Sequence, residues 1–142
     1  MSKPTFQRPL VVELLDGKRW RLANSFQYIT RVFGAKVSIS IKADFETDFA
    51  SIPKFLWFLP YWAKYSKASI IHDWLYRFKS INGRPITRKE ADLVFYEAML
   101  RAWRNHKSGP LVAWLEYTSV RLFGWLAWRK KKEQGWGCGL AS

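Results

Sequence analysis

One histidine, one tyrosine and two aspartates stand at spacings that could do chemistry. His72-Asp73-Trp74-Leu75-Tyr76 lies in a segment whose apolar residues recur at helical spacing, and Asp92 lies twenty residues past the histidine. The break between the two segments is centred near Asn82, ten residues from each. In an antiparallel helix pair, positions equidistant from the turn face each other. His72 and Asp92 are therefore predicted to meet, with Tyr76 one turn from His72 on the same side. A carboxylate facing an imidazole fixes its tautomer and supports its action as a general base. Asp73 points about 100° round the helix and is left for another task, such as holding a cation. The same residues also have a plain structural reading. A histidine among apolar neighbours can be a packed core residue, and an acid in a helix's first turn is favoured by the helix dipole.

The elements that must position these residues follow from pattern. Leu10–Leu15 and Lys18–Leu22 flank Asp16-Gly17, a hairpin signal. Phe26–Phe33 is a second strand candidate, and Val37-Ser-Ile-Ser-Ile41 alternates cleanly. Ala43–Pro53 reads as a loop, and Phe55–Trp62, broken by Pro60, as a short helix or irregular apolar segment. Ser66–Phe78 reads as a helix, with apolar residues at 70, 71, 74, 75 and 78. Ser80–Pro85 interrupts it, and Thr87-Arg-Lys-Glu90 is a capping box that starts a helix running to about Arg104. His106–Pro110 is a further break before a third helix over Leu111–Trp128. The predicted class is α+β: a small antiparallel N-terminal sheet, a helix pair (66–78 and 87–104) and a third long helix (111–128). Residues 1–128 read as one domain and 129–142 as a basic tail containing glycine and tryptophan.

Composition excludes several classes. The chain has 142 residues, a formal net charge of +13 and 18% aromatic residues. That length suits one domain that folds without disulfide or metal staples. Charge-free stretches such as Phe55–Ala63 and Ser108–Leu115 fall well short of the ~20 apolar residues of a spanning helix. The first residues lack a signal-peptide pattern, and the single cysteine, Cys138, fits synthesis in a reducing cytoplasm. No phosphate-binding loop, metal-spaced Cys/His cluster or nucleophile elbow is present. A charge of +13 asks for an anionic partner: nucleic acid, a membrane surface or an acidic protein. Leu111–Trp128, apolar nearly all round, reads as a buried helix. Its alternative is a membrane-interface segment with Arg129-Lys-Lys-Lys132 on anionic head groups. Phe55–Trp62 reads either as a lipid-facing rim just before the histidine helix or as a segment buried in the core or against a neighbouring subunit. Arg101, Arg104, Lys107 and the tail could instead meet nucleic-acid phosphates, although no recognised nucleic-acid motif is present.

Two resemblances add expectations. His72-Asp73-x-x-Tyr76 with Asp92 inside Glu90-Ala-Asp-Leu-Val-Phe-Tyr-Glu97 resembles the helix pair of phospholipase A2 enzymes, closest to the short prokaryotic and viral versions. That likeness implies His72 as the base that activates water, Asp92 as its orienting partner, and Asp73 as a calcium ligand. Asp48 and the carbonyls of residues 49–51 are further candidate oxygens, calcium requiring roughly six to eight. The implied reaction is ester hydrolysis, with Tyr76 steadying the dyad through its hydroxyl. The chain departs from that family in carrying one cysteine and no glycine over 43–65. The second likeness spans about Ala43–Gly124. Thr47-Asp-Phe-Ala-Ser-Ile-Pro53, His72-Asp-Trp-Leu-Tyr76, Thr87-Arg-Lys-Glu-Ala-Asp92 and Val120-Arg-Leu-Phe-Gly124 are similar to a family of unknown function encoded by tailed phages and prophages. It implies synthesis in a bacterial host and a place in the virion, as a tail-associated or infection protein whose partners are other tail proteins. A non-catalytic tail component is the alternative, and a nucleic-acid binder the third reading.

Overall fold

A computed structural model describes residues 5–7, 9–17, 19–47 and 62–129. Twelve elements follow in chain order: β1 (Thr5–Gln7), β2 (Val12–Leu14), β3 (Trp20–Leu22), β4 (Phe26–Thr30), β5 (Val37–Ile41), β6 (Glu46–Thr47), α1 (Trp62–Phe78), β7 (Ser80–Ile81), β8 (Arg84–Pro85), α2 (Arg88–Ala102), α3 (Gly109–Phe123) and α4 (Trp125–Trp128). The α+β class with an N-terminal antiparallel part is as predicted. The strands, however, form two three-stranded sheets, β1-β4-β5 and β2-β3-β6, rather than one.

Alternation explains the first sheet. Phe26 stands opposite Ile41, Tyr28 opposite Ile39 and Thr30 opposite Val37. Of these, Phe26, Tyr28, Thr30, Ile39 and Ile41 are buried. The outward pair Gln27 and Ser40 bond each other at 3.1 Å. The Asp16-Gly17 hairpin forms as read, with Leu14 opposite Trp20. Gly17 takes φ +83°, which favours glycine, and the backbone N–H of Arg19 donates to Asp16 Oδ1 at 2.9 Å.

Several predicted boundaries move. The loop expected from Ala43 contains β6, which extends the second sheet by pairing Trp20 with Thr47 and Arg21 with Glu46. The α1 helix begins at Trp62 rather than Ser66, and the rest of Phe55–Trp62 lies outside the described residues. Ser80–Pro85, read only as a break, is a two-residue hairpin. Asn82 and Gly83 both take positive φ (51° and 81°), the backbone of an Asn-Gly hairpin turn. The capping box is formed in both directions: Glu90 N–H donates to Thr87 Oγ1 at 3.1 Å and Thr87 N–H to Glu90 Oε1 at 2.9 Å. The α2 helix ends at Ala102, two residues short of the expected end.

The core lies between the first sheet and the helices. On α1, Ile70, Ile71, Trp74, Leu75 and Phe78 are buried as their spacing predicts, but so are His72 and Tyr76. The α1 helix is therefore covered on nearly every side, by the sheet and by α2. Glu97 of α2 ties that helix to β4, accepting bonds from Tyr28 Oη (2.8 Å), Thr30 Oγ1 (2.7 Å) and Arg31 N–H (3.1 Å). The burial expected all round the third helix is only half realised. Val112, Ala113, Glu116 and Val120 are buried, whereas Leu111, Trp114, Leu115, Leu122 and Phe123 are exposed. Among the described residues no helix is long and apolar enough to cross a membrane.

Glu116 is the anomaly of this packing. It is fully buried, and among the described residues neither carboxyl oxygen has a hydrogen-bond partner. Burial pushes its carboxyl up to about 8. The folded protein then holds a proton that the unfolded chain releases, so stability falls as pH rises from the ordinary glutamate value towards about 8. Glu116→Gln should therefore raise stability by about 1–3 kcal/mol at the alkaline end of that window and flatten the slope across it. Chemical denaturation of both proteins across the window checks this.

Candidate functional site

The site is assembled where three helices converge on one carboxylate. The β7–β8 hairpin returns the chain so that α2 packs antiparallel on α1, and His72 Nε2 stands 2.8 Å from Asp92 Oδ1. Tyr76, one turn along α1, donates its hydroxyl to the same oxygen at 2.6 Å. The capping box fixes where α2 starts and hence the turn from which Asp92 projects. The predicted meeting of His72, Asp92 and Tyr76 is thus present in the structure.

The second oxygen of Asp92 is occupied from α2 and α3. Arg121 Nη1 donates to Oδ2 at 2.8 Å, and Arg88 Nη1, one turn before Asp92, lies at 3.5 Å. Arg88 also donates to the carbonyls of Val120 and Arg121, each at 3.2 Å. These are end-of-helix acceptors, which a guanidinium can serve together with a carboxylate. Neither arginine follows from the His–Asp spacing. Arg88 carried a local signal, four residues before an acid on one helix. Arg121 carried none, because its pairing spans 29 residues. Gly124 completes the join: a Cβ there would stand 2.5 Å from the Tyr76 hydroxyl oxygen, so only glycine lets α3 come so close.

Asp92 is 0% exposed and His72 2%. Burial alone would raise the Asp92 carboxyl, yet the bond and charge of His72, then the bonds from Tyr76 and Arg121, hold it below its ordinary value. Tyr76 is driven the other way, first by burial and then by the hydrogen bond and negative charge of Asp92. With Asp92 ionised, the Nε2 of His72 must carry the proton it donates, which in a neutral ring leaves the basic lone pair on Nδ1. The ring is held between two aromatics, its centroid 4.1 Å from that of Tyr76 and 4.7 Å from that of Phe95. The arrangement can orient an imidazole and fix its tautomer.

Asp73 lies on the adjoining face, where the Thr47 hydroxyl of β6 donates to its Oδ2. That bond brings Thr47 against Asp73, so two residues far apart in sequence meet one position from His72. Asp48 lies outside the described residues. Among the described residues, no group of three or more His, Cys, Asp or Glu stands together as a metal set. Asp73 alone falls far short of the six to eight oxygens that calcium takes.

Comparison with known proteins gives one match. The model of a family described as a protein of unknown function, DUF1353, matches residues 20–120, more than half of the chain. That span includes His72, Tyr76, Arg88 and Asp92 and stops one residue before Arg121. No curated protein and no solved structure matches the chain.

An amide in place of the carboxylate removes the negative charge and one of the two acceptor oxygens that the imidazole, the phenol and two guanidiniums share. Asp92→Asn should therefore destabilise the fold by about 3–5 kcal/mol, and Tyr76→Phe by about 1 kcal/mol. Because the Asp92 carboxyl is lowered in the folded state, its contribution is present above the ordinary aspartate value and is lost as pH falls through the lowered one. Denaturant titrations at neutral pH and in strong acid should show the gap between wild type and Asp92→Asn closing in acid.

Proposed function

The chain belongs to the DUF1353 family of proteins of unknown function, and from that premise we propose that it is a phage-encoded ester hydrolase of the virion tail or of infection, acting on lipid esters through His72. The observation that carries this reading is the single oxygen of Asp92 shared by His72 Nε2 at 2.8 Å and Tyr76 Oη at 2.6 Å. It is the arrangement that the likeness to phospholipase A2 calls for: a base, its orienting carboxylate, and a hydroxyl that steadies the carboxylate. The phage setting rests on the four sequence segments that resemble a tailed-phage family.

The chemistry is a hydrolysis with one base. His72 takes a proton from water at Nδ1 while the water oxygen bonds to the ester carbonyl carbon. The carbon–oxygen bond to the leaving alcohol then breaks, and the proton passes from His72 to the departing alkoxide. Asp92 acts as a positioning residue, keeping the Nε2 proton in place and balancing the imidazolium that forms in between. Calcium is the cation that the likeness implies, with Asp73 as the described carboxylate facing it and Asp48 a further candidate. The described residues by themselves do not make that site, and the proton transfers above need no metal.

A second reading is favoured by the number of helices that meet at Asp92. A carboxylate clamped from α1, α2 and α3 is also what a scaffold needs, and a non-catalytic tail component would keep it for assembly alone. Fatty-acid release from phospholipid vesicles separates the two, measured for wild type and His72→Gln, with calcium and with chelator. Hydrolysis predicts release by wild type and a loss of at least about 10²-fold in the variant, with its folding checked by circular dichroism. Absence of release from wild type under both conditions, or equal rates in the two proteins, overturns the hydrolase reading in favour of the scaffold.

A further inference from the structure

The α3 and α4 helices carry an apolar stripe on their outer side. Leu111, Trp114, Leu115, Leu122, Trp125 and Leu126 are all exposed, Leu122 to 60% and Trp114 to 54%. At 3.6 residues per turn these six fall within an arc of about 120°, opposite the buried Val112, Ala113, Glu116 and Val120. Gly124, the turn residue between α3 and α4, keeps right-handed helical angles (φ −66°, ψ −16°), so the period carries over approximately from one helix to the next. Phe123, 69% exposed, lies about 60° outside that arc and adds apolar surface beside its C-terminal end. Over residues 111–126 it is about 22 Å long. Thr118 separates the Leu111–Leu115 group from the Leu122–Leu126 group within that arc. Single exposed apolar residues are ordinary on a protein surface, but two such groups on one side mark an interaction face.

We propose that this face docks the protein on an anionic lipid surface, the helices lying in the interface plane with their apolar stripe in the acyl boundary. Charge selects this occupant. Residues 98–132 hold eight Lys and Arg against one acid, Glu116, and that acid is buried on the opposite side of α3. Arg104, Lys107 and Arg129 are exposed at the two ends of the stripe, and the sequence continues as Lys130-Lys-Lys132. Arg129 stands over the Trp125 ring at 5.5 Å. Tryptophan and leucine on one helix face with cations at the ends suit the head-group boundary, each cation near it contributing attraction to anionic lipid. A second copy on the same face would set basic ends against basic ends, and a nucleic-acid backbone offers nothing to seven apolar side chains.

The inference stands apart from hydrolysis, since it rests on the exposed side of α3 and α4, whereas His72 and Asp92 are buried. The test is co-sedimentation of the full chain with phosphatidylcholine vesicles, with and without phosphatidylglycerol, alongside the double variant Trp114→Gln/Leu122→Gln. Both positions are exposed and glutamine keeps helix propensity, so an unchanged thermal melt confirms a folded variant. Wild type should pellet with the anionic vesicles, bind neutral ones far less and detach as salt rises. The double variant should bind about tenfold more weakly or worse. Equal binding of the two proteins overturns the proposal, as does wild-type binding that ignores lipid charge. Equilibrium sedimentation without lipid supplies one more overturning result: a wild-type dimer that the double variant loses would give the face to a second copy. Because the variant leaves the dyad intact, lipid binding without hydrolysis would sink only the enzymatic reading, and hydrolysis with binding unchanged by the variant only this one.

Discussion

The fold turns on one buried charge. Asp92 is fully enclosed, and an isolated carboxylate in such a place is among the costliest features a protein can carry. Each of its oxygens therefore has to be met by donors. His72 and Tyr76 of α1 meet one, and Arg121 of α3 with Arg88 of α2 meet the other. Meeting those demands fixes the relative register of three helices. It also explains local features that look unrelated in sequence. The capping box sets the start of α2, the Asn-Gly hairpin sets the return of the chain, and Gly124 clears space for the Tyr76 hydroxyl.

A polar cluster of this kind makes two things from the same contacts. Contacts that end on the Asp92 acceptor hold the histidine in one tautomer, the preorganisation that the proposed proton transfer calls for. They also resist separation of the helices, since loss of any one leaves another buried group unmet. A second carboxylate, Glu97, works in the same way between α2 and β4, where a hydroxyl, a phenol and an amide converge on it. The α2 helix is thus anchored through acids at both ends, to the sheet by Glu97 and to the neighbouring helices by Asp92.

Charge and apolar surface are divided along the chain in a way that suits a protein working at an interface. Acids in the N-terminal sheets are paired with arginines at the surface, as in Asp16–Arg19 and Glu13–Arg21. From Arg101 to Lys132 the sequence holds a single acid, Glu116, which is buried, and Arg121 pairs with Asp92. About half of the chain's excess positive charge therefore falls on the residues that carry and flank the apolar stripe. Screened surface pairs add little to stability, whereas unbalanced cations beside apolar residues define a partner.

Much of this was legible in the sequence. Period-two alternation placed β5, the Asp-Gly pair placed the β2–β3 hairpin, and the capping box placed the start of α2. Equidistance from Asn82 brought His72 to Asp92, because two antiparallel helices of fixed rise leave few other partners. The Asn82-Gly83 pair signals a turn inside Ser80–Pro85, but its two-residue strands are too short to show alternation and so to stand out from a break. Nor could local pattern tell which side of an all-apolar third helix would be covered. That outcome depends on how much surface α2 offers, and α2 covers one side only. Local spacing determined the helix pair and its dyad, because those contacts repeat the geometry of the chain itself. Tertiary structure alone decided the Arg121 contact, the burial of Glu116 and the exposed stripe, because each depends on how α3 is rotated against α2, a choice made by the buried charge of Asp92.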